Sequence, residues 1–356
     1  MENFRDIRQR ELANKWINSG KFGIILAAPR TGKCRLTIYA LQEMNNPSIL
    51  IAYPDNKIKQ SWVDEFKLME YDSSKVTFTT HLSLHKYIDV AYDVVILDEI
   101  HLLSENQLLA AYELLKINKT VLGLTGTLAN DSKSALWITL GLRVIAEYLI
   151  DQAIDEDVIT DYEINVVTVP LDNKVKMYKG KTEKQKFDSL SWVIDKMINE
   201  GKDPFFLRLQ RMRIIQNSIA KRNKTISLLR EYENDRVLVF TGLTKIADSL
   251  GIPSYHSKSL EKKIFEDFVS GEIKHLAVCR IGNTGITYKS LNRVIISYFS
   301  SSSEDFVQKI MRATSFEYDN PEKKALISII STDEPIELNW LKKALKGLNK
   351  DKIKYL

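Results

Sequence analysis

Short, almost uninterrupted apolar runs alternate along this chain with longer stretches whose apolar residues recur at helical spacing. A first set of runs lies at 23–28 (GIILAA), 48–53 (SILIAY), 76–80 (VTFTT), 93–99 (DVVILDE) and 120–126 (TVLGLTG). A strand that is apolar on both faces must be covered on both faces, as happens in a parallel sheet flanked by helices. Segments such as CRLTIYALQEM and KQSWVDEFKLM supply the helices between the runs. The alternation therefore predicts an α/β, doubly wound domain. The pattern restarts at 164–169 (INVVTV), 236–242 (RVLVFTG), 275–281 (HLAVCRI), 293–299 (RVIISYF) and 325–331 (ALISIIS). Between the two sets, the acidic stretch 147–163 carries no long apolar run. A boundary near residue 150 is expected, giving domains 1–150 and 151–356, each long enough to bury its own core.

Composition narrows the class. Hydrophobic residues make up 44% and charged residues 27% of the chain, as in a soluble globular protein. No run of 18 apolar residues appears, and the charged N-terminus reads as neither signal peptide nor membrane anchor. Two cysteines, Cys34 and Cys279, and five unclustered histidines argue against disulfide frameworks and zinc sites, and so for a reducing cytoplasm. Residues 1–150 balance at 17 basic and 17 acidic side chains, so the net charge of +5 sits entirely in the rest, 34 against 29. A basic second half suits a polyanionic partner or simply solubility.

Two short motifs carry chemistry. AAPRTGKC (27–34) follows a predicted strand and opens a predicted helix, an arrangement that aims free backbone N–H groups at an anion. It approximates the phosphate-cradling pattern G-x-x-x-x-G-K-[ST], with Ala27 in place of the first glycine and Cys34 in place of the hydroxyl residue. Pro29, Arg30, Thr31 and Gly32 would form the loop, and Lys33 would reach the β- and γ-phosphates. Cys34 would stand where a hydroxyl normally meets Mg²⁺, a hard cation for which a neutral thiol is a poor ligand. VVILDEIH (94–101) ends a strand with two adjacent carboxylates, 65 residues beyond Lys33. Asp98 suits Mg²⁺ through oxygen or water, and Glu99 suits the orientation of an attacking water. Together the motifs indicate ATP with Mg²⁺.

These residues resemble superfamily 2 helicases and translocases, nearly end to end. DEIH is similar to their motif II of the DEAD/DEAH type, and LTGT (124–127) to motif III, where Thr125 and Thr127 would link hydrolysis to nucleic-acid contact. ILIAYPDNKIKQSWVDEF (49–66) resembles motif Ia, with Pro54, Lys57 and Trp62 in place, and FTTHLSL (78–84) resembles motif Ib. FRDIRQRELANKW resembles the adenine-reading segment, with Gln9 as the base contact. In the second half, VLVFTGL, RIGNTGITY and QKIMRAT resemble motifs IV, V and VI. The stretch 284–312 is most similar to phage UvsW-like enzymes, and the lead-in 208–229 to these and to Swi2/Snf2-like enzymes.

The resemblance implies two tandem RecA-like domains with ATP between them and Gly285 among its contacts. Lys33, Asp98, Glu99, Gln308 and Arg312 would be the catalytic set, Arg312 reaching the triphosphate from the second domain. Nucleic-acid phosphates would meet Lys57, Thr79, Thr80, Thr241, Lys258 and Thr284, besides the motif III threonines. The basic stretch holding Arg208, Arg211, Arg213, Lys221, Arg222 and Lys224 reads equally as a phosphate-binding surface or a solvated helix face. The five tryptophans, Trp62 included, are expected to pack in cores or between helices. Met311, Ser315 and Thr287 depart from the family pattern, leaving one arginine finger of two. The expected function is a DNA-dependent ATPase acting as helicase or translocase in phage-type replication, recombination or repair. Its partner would be single-stranded, duplex or branched DNA. A monomeric core is expected, working with replication or recombination proteins in an infected bacterial cytoplasm. The alternative is a nucleotide-binding clamp or assembly factor with little hydrolysis. With no length left for a large accessory domain, translocation or branch remodelling is expected before processive unwinding.

Overall fold

The five apolar runs of the first set become neighbours in one sheet. The computed structural model describes residues 4–177, 179–259, 263–279, 288, 290–300, 303–317 and 320–356, the side chains of Lys57 and Glu304 excepted. Its strands are β1 (Phe22–Ala27), β2 (Ile49–Tyr53), β3 (Val76–Thr80), β4 (Val94–Asp98) and β5 (Val121–Thr125), joined by β6 (Val144–Tyr148). They run in the order β3-β2-β4-β5-β1-β6, all pairs parallel. Every residue of β2, β4 and β5 is buried, which is why their sequences show no polar alternation. Helices α1 (Phe4–Asn18), α2 (Lys33–Gln42), α3 (Lys57–Leu68), α4 (Glu105–Ile117), α5 (Asn130–Leu140) and α6 (Ile150–Asp155) connect or cover them.

Two local devices place α1 and the segment after β6. Gln9, Leu12, Ala13 and Trp16 recur at helical spacing and are the buried side of α1. Trp16 donates its indole N–H to the Val121 carbonyl at 2.9 Å, fixing α1 against β5. Arg8 on α1 donates through Nε to Glu156 at 3.1 Å, and Tyr148 donates to the same carboxylate at 2.9 Å. These bonds keep the stretch after residue 150 with the first unit, and the chain divides into compact units between Ile159 and Thr160.

The second unit repeats the architecture. Strands β7 (Tyr162–Val169), β8 (Val237–Thr241), β9 (Ser254–His256), β10 (His275–Cys279), β11 (Arg293–Ile296), β12 (Ala325–Thr332) and β13 (Ile353–Tyr355) form a parallel sheet, ordered β13-β7-β12-β11-β8-β10-β9. Two parallel sheets flanked by helices match the expected tandem RecA-like class. The helices are α7 (Glu183–Asn199), α8 (Phe205–Gln216), α9 (Ile219–Glu231), α10 (Thr244–Asp248), α11 (Lys263–Ser270), α12 (Ser303–Ile310) and α13 (Pro335–Ala344). Thr182 and Gln185 form a reciprocal capping box at the start of α7. Phe187 and Leu190 of α7 then pack with Ile214 and Ile215 of α8.

A buried ion pair joins α9 to α13. Lys221 donates to Glu337 at 2.6 Å, and the same carboxylate accepts the Thr332 N–H and hydroxyl at 2.6 and 2.7 Å. Both side chains are almost fully enclosed, so this member of the basic stretch is structural. Breaking a buried pair leaves an uncompensated charge, at a cost of about 3–5 kcal/mol. Lys221→Ala should lower unfolding free energy by about that amount in denaturant titrations, whereas Lys221→Met with Glu337→Leu should cost clearly less.

Candidate active site

The site grows from the carboxyl ends of three adjacent strands, β1, β5 and β4, where a parallel sheet leaves room for a ligand. After β1 the chain turns through residues 28–32 into α2. Arg30 and Gly32 both take left-handed backbone, with φ of 73° and 87°. Gly32 is required twice over: its φ disfavours any side chain, and an added Cβ would lie 2.0 Å from Gln9 Nε2. Gln9 donates to the Thr31 carbonyl at 2.8 Å, Thr31 Oγ1 donates to the Ala28 carbonyl at 2.7 Å, and Arg5 donates to the Arg30 carbonyl. α1 thus fixes the loop from above, and Lys33 and Cys34 open α2.

β4 delivers the carboxylates. Asp98 is its last residue, and Glu99 follows with φ and ψ of 49°, a left-handed conformation costing a non-glycine residue about 1–2 kcal/mol. That turn brings Glu99 Oε1 to 3.2 Å from Lys33 Nζ. Its other oxygen lies 3.5 Å from His101 Nδ1. β5 runs between, and Gly126 just beyond it lies close to both sides: a Cβ there would meet Pro29 Cγ at 3.0 Å and Lys33 Nζ at 3.3 Å. Thr125 Oγ1 lies 2.7 Å from His101 Nδ1 and donates to the Thr127 carbonyl at 2.6 Å. The motif II and motif III positions are therefore wired together through His101, which the sequence reading did not single out.

Trp62, expected from the sequence to pack, does more than pack. Its indole N–H donates to Asp98 Oδ2 at 3.0 Å, both groups buried, so this tryptophan orients a carboxylate as well as packing α3. The signal available in the sequence was a lone indole N–H on a helix facing the strand that ends in Asp98; a buried indole N–H needs an acceptor.

Charge is tightly matched here. Burial pushes the Asp98 carboxyl up to about 6, helped by the Glu99 charge and opposed by Lys33 and the Trp62 N–H. Burial also acts to raise Glu99, but Lys33, His101 and the Gly126 N–H outweigh it and hold Glu99 below the usual range. Burial acts to lower Lys33, yet Glu99 and Asp98 keep its ammonium above the ordinary value. The Cys34 thiol is pushed well up by burial and by Asp98, so it is neutral at pH 7 and does not suit Mg²⁺.

The donor set fits Mg·ATP otherwise. Lys33 and the loop N–H groups offer phosphate contacts. Asp98 is an oxygen ligand of the kind Mg²⁺ takes singly while keeping several waters and substrate phosphates. Among the described residues no group of three or more His, Cys, Asp or Glu could hold a metal ion unaided. Gln9 Oε1 is buried without a hydrogen-bond partner among the described residues, an acceptor suited to an amino group such as that of adenine.

The other predicted positions lie mostly at strand ends. Thr79 and Thr80 end β3, and Lys57 begins α3 with its side chain outside the described residues. Thr241 ends β8, buried, its hydroxyl shared between the Leu243 and Val278 carbonyls at 3.3 and 3.2 Å. Lys258 is exposed just beyond β9. Gln308 lies on α12, and Arg312, two residues past its end, is 8% exposed. Thr284, Gly285 and Thr287 lie outside the described residues.

Comparison with known proteins agrees with this framework. The helicase conserved C-terminal domain family matches residues 220–317. The DNA 3'-5' translocase XPB2 of Sulfurisphaera tokodaii is 23% identical over 343 residues, covering 85% of this chain and 77% of that protein. Among solved structures, S. cerevisiae Dbp5 bound to RNA and ADP BeF3 has a TM-score of 0.63 at 10% identity, covering 98% of this chain and 88% of that one. A fragment of a putative HsdR subunit of a type I restriction enzyme from Vibrio vulnificus has a TM-score of 0.65 at 15% identity, covering 98% and 67%.

The raised Asp98 value has a consequence for the ligand-free protein. The folded state holds this proton more tightly than the unfolded chain does, so the stability it contributes is present below about pH 4 and lost as pH rises through about 6. Between pH 7 and pH 5 the wild type should gain about 1 kcal/mol relative to Asp98→Asn. Paired thermal melts at the two pH values check this, with the gap between the proteins shifting in favour of wild type on acidification.

Proposed function

We propose, from the chain's similarity to superfamily 2 helicases and translocases, that it hydrolyses ATP to move along DNA. The observation that carries the reading is the buried Lys33–Glu99 contact at 3.2 Å beside Asp98, built on the loop after β1. Lys33 and the loop N–H groups would take the phosphates, exchanging one anionic partner for another. Bound Mg²⁺ would neutralise charge on the β- and γ-phosphates, with Asp98 as its protein ligand. Glu99, released from Lys33 and held ionised by His101 and the Gly126 N–H, would orient water for in-line attack. Gln9 would accept from the adenine amino group, and Thr125, bonded to His101, would couple the carboxylate end of β4 to the end of β5. Arg312 is the proposed partner for charge on the transferring phosphoryl group.

DNA as the track is supported by the alignment with a DNA translocase over most of the chain, and by the phage UvsW-like sequence of the second half. A steady-state ATPase assay with single-stranded, duplex and forked DNA, and with RNA, tests both parts. Turnover should rise with DNA more than with RNA, and Lys33→Ala should lower it by at least about 10²-fold. Wild-type hydrolysis by Lys33→Ala contradicts the site, and equal stimulation by RNA contradicts the choice of track. Tight nucleotide binding with no turnover on any strand would favour the clamp instead.

A further inference from the structure

A cavity of about 690 Å³ opens in the second unit at the carboxyl ends of β8, β9 and β10. One wall comes from α7 and α8, with Lys186 and Arg213. The other comes from the chain after β8 and β9, with Lys245 and Lys258. Leu190 and Ile214, buried in the contact between α7 and α8, contribute apolar lining. Among the described residues, no carboxylate lines it. Among the described residues, none of the four cations is in an ion pair, although many of the unit's other lysines and arginines are, such as Lys184 with Glu334 and Arg293 with Asp235.

Four unneutralised cations around one concavity raise the local positive potential and repel one another, a cost offset when an anion enters. The volume exceeds what a single oxyanion needs, and the cations come from four separate elements, which suits successive phosphates along a chain. The apolar lining suits the sugar faces between them. We propose that α7 and α8 form one wall of a phosphodiester-binding pocket, in which Lys186 and Arg213 grip a nucleic-acid strand opposite Lys245 and Lys258. This inference rests on the reading of the chain as a nucleic-acid translocase. It splits the basic stretch by role: Arg213 faces the strand, while Lys221 serves the core. It also adds Lys186 and Lys245 to the strand-binding set.

The test is anisotropy of a fluorescent single-stranded DNA on the full chain, without nucleotide, across a series of salt concentrations. Lys186→Ala with Arg213→Ala should weaken binding at least tenfold at low salt. The slope of log affinity against log salt should flatten by about 1.4, two phosphate contacts at about 0.7 each. Lys342→Ala with Lys343→Ala removes the same charge from exposed positions on α13 outside the cavity and should change both far less. The charge-preserving pair Lys186→Arg with Arg213→Lys should restore most of the slope. Retained affinity and slope in the alanine pair overturn the proposal, as does an equal loss in the α13 pair. So does a pair that loses inorganic phosphate binding yet keeps the DNA, which would assign the cavity to a free anion. Because nucleotide is absent, the outcome does not call on Lys33, Asp98 or Glu99. A failed ATPase reading and a failed pocket reading are therefore told apart.

Discussion

The buried contact between the Lys33 ammonium and the Glu99 carboxylate is the constraint around which the first unit is arranged. Two adjacent carboxylates at the end of an apolar strand repel each other and lose solvation. They stay folded there because one cation lies within reach of both. To bring Lys33 that close, the loop takes left-handed backbone at Arg30 and Gly32, Glu99 does the same, and Gly126 leaves out a side chain between them. Gly32 also makes room for Gln9, and Gly126 for Pro29 and Lys33. Strain gathered at one edge of an otherwise regular sheet is what a site prepared for an incoming anion requires.

Around that pair, helices act as positioning frames rather than as ligands. Trp16 fixes α1 to β5, so Gln9, two turns earlier on the same buried side, rests on the loop after β1. Trp62 fixes α3 while its N–H orients Asp98. The second unit uses the same logic with different chemistry. The Lys221–Glu337 pair ties α9 to α13, while α7, begun by its capping box, packs with α8 beside the cavity at the ends of β8 and β10, which their cations line.

The sheets were legible because parallel strands bury both faces and so write themselves as continuous apolar runs; β1 to β5, β7, β8 and β10 to β12 all coincide with such runs. β6, β9 and β13 were missed for the complementary reason. All three are edge strands, two are three residues long, and VIAEY, SYH and IKY carry polar or charged residues within the strand. Each motif was readable by itself, since a strand, a turn and a helix suffice to place Lys33, and a strand end suffices to place Asp98 and Glu99. What spacing could not convey was contact across the sheet. The Trp62–Asp98 bond joins residues 36 apart, and Lys221 and Glu337 are 116 apart. A tryptophan and a lysine that looked like packing and surface thereby acquire specific partners.

The central claim is that Lys33 exchanges Glu99 for phosphate, and a structure with Mg²⁺ and a non-hydrolysable ATP analogue tests it most directly. The account predicts the analogue's phosphates on the N–H groups of residues 28–34, Lys33 Nζ moved onto them, and Asp98 toward the metal through oxygen or water. Lys33 still on Glu99, with the nucleotide bound away from the loop after β1, would contradict it.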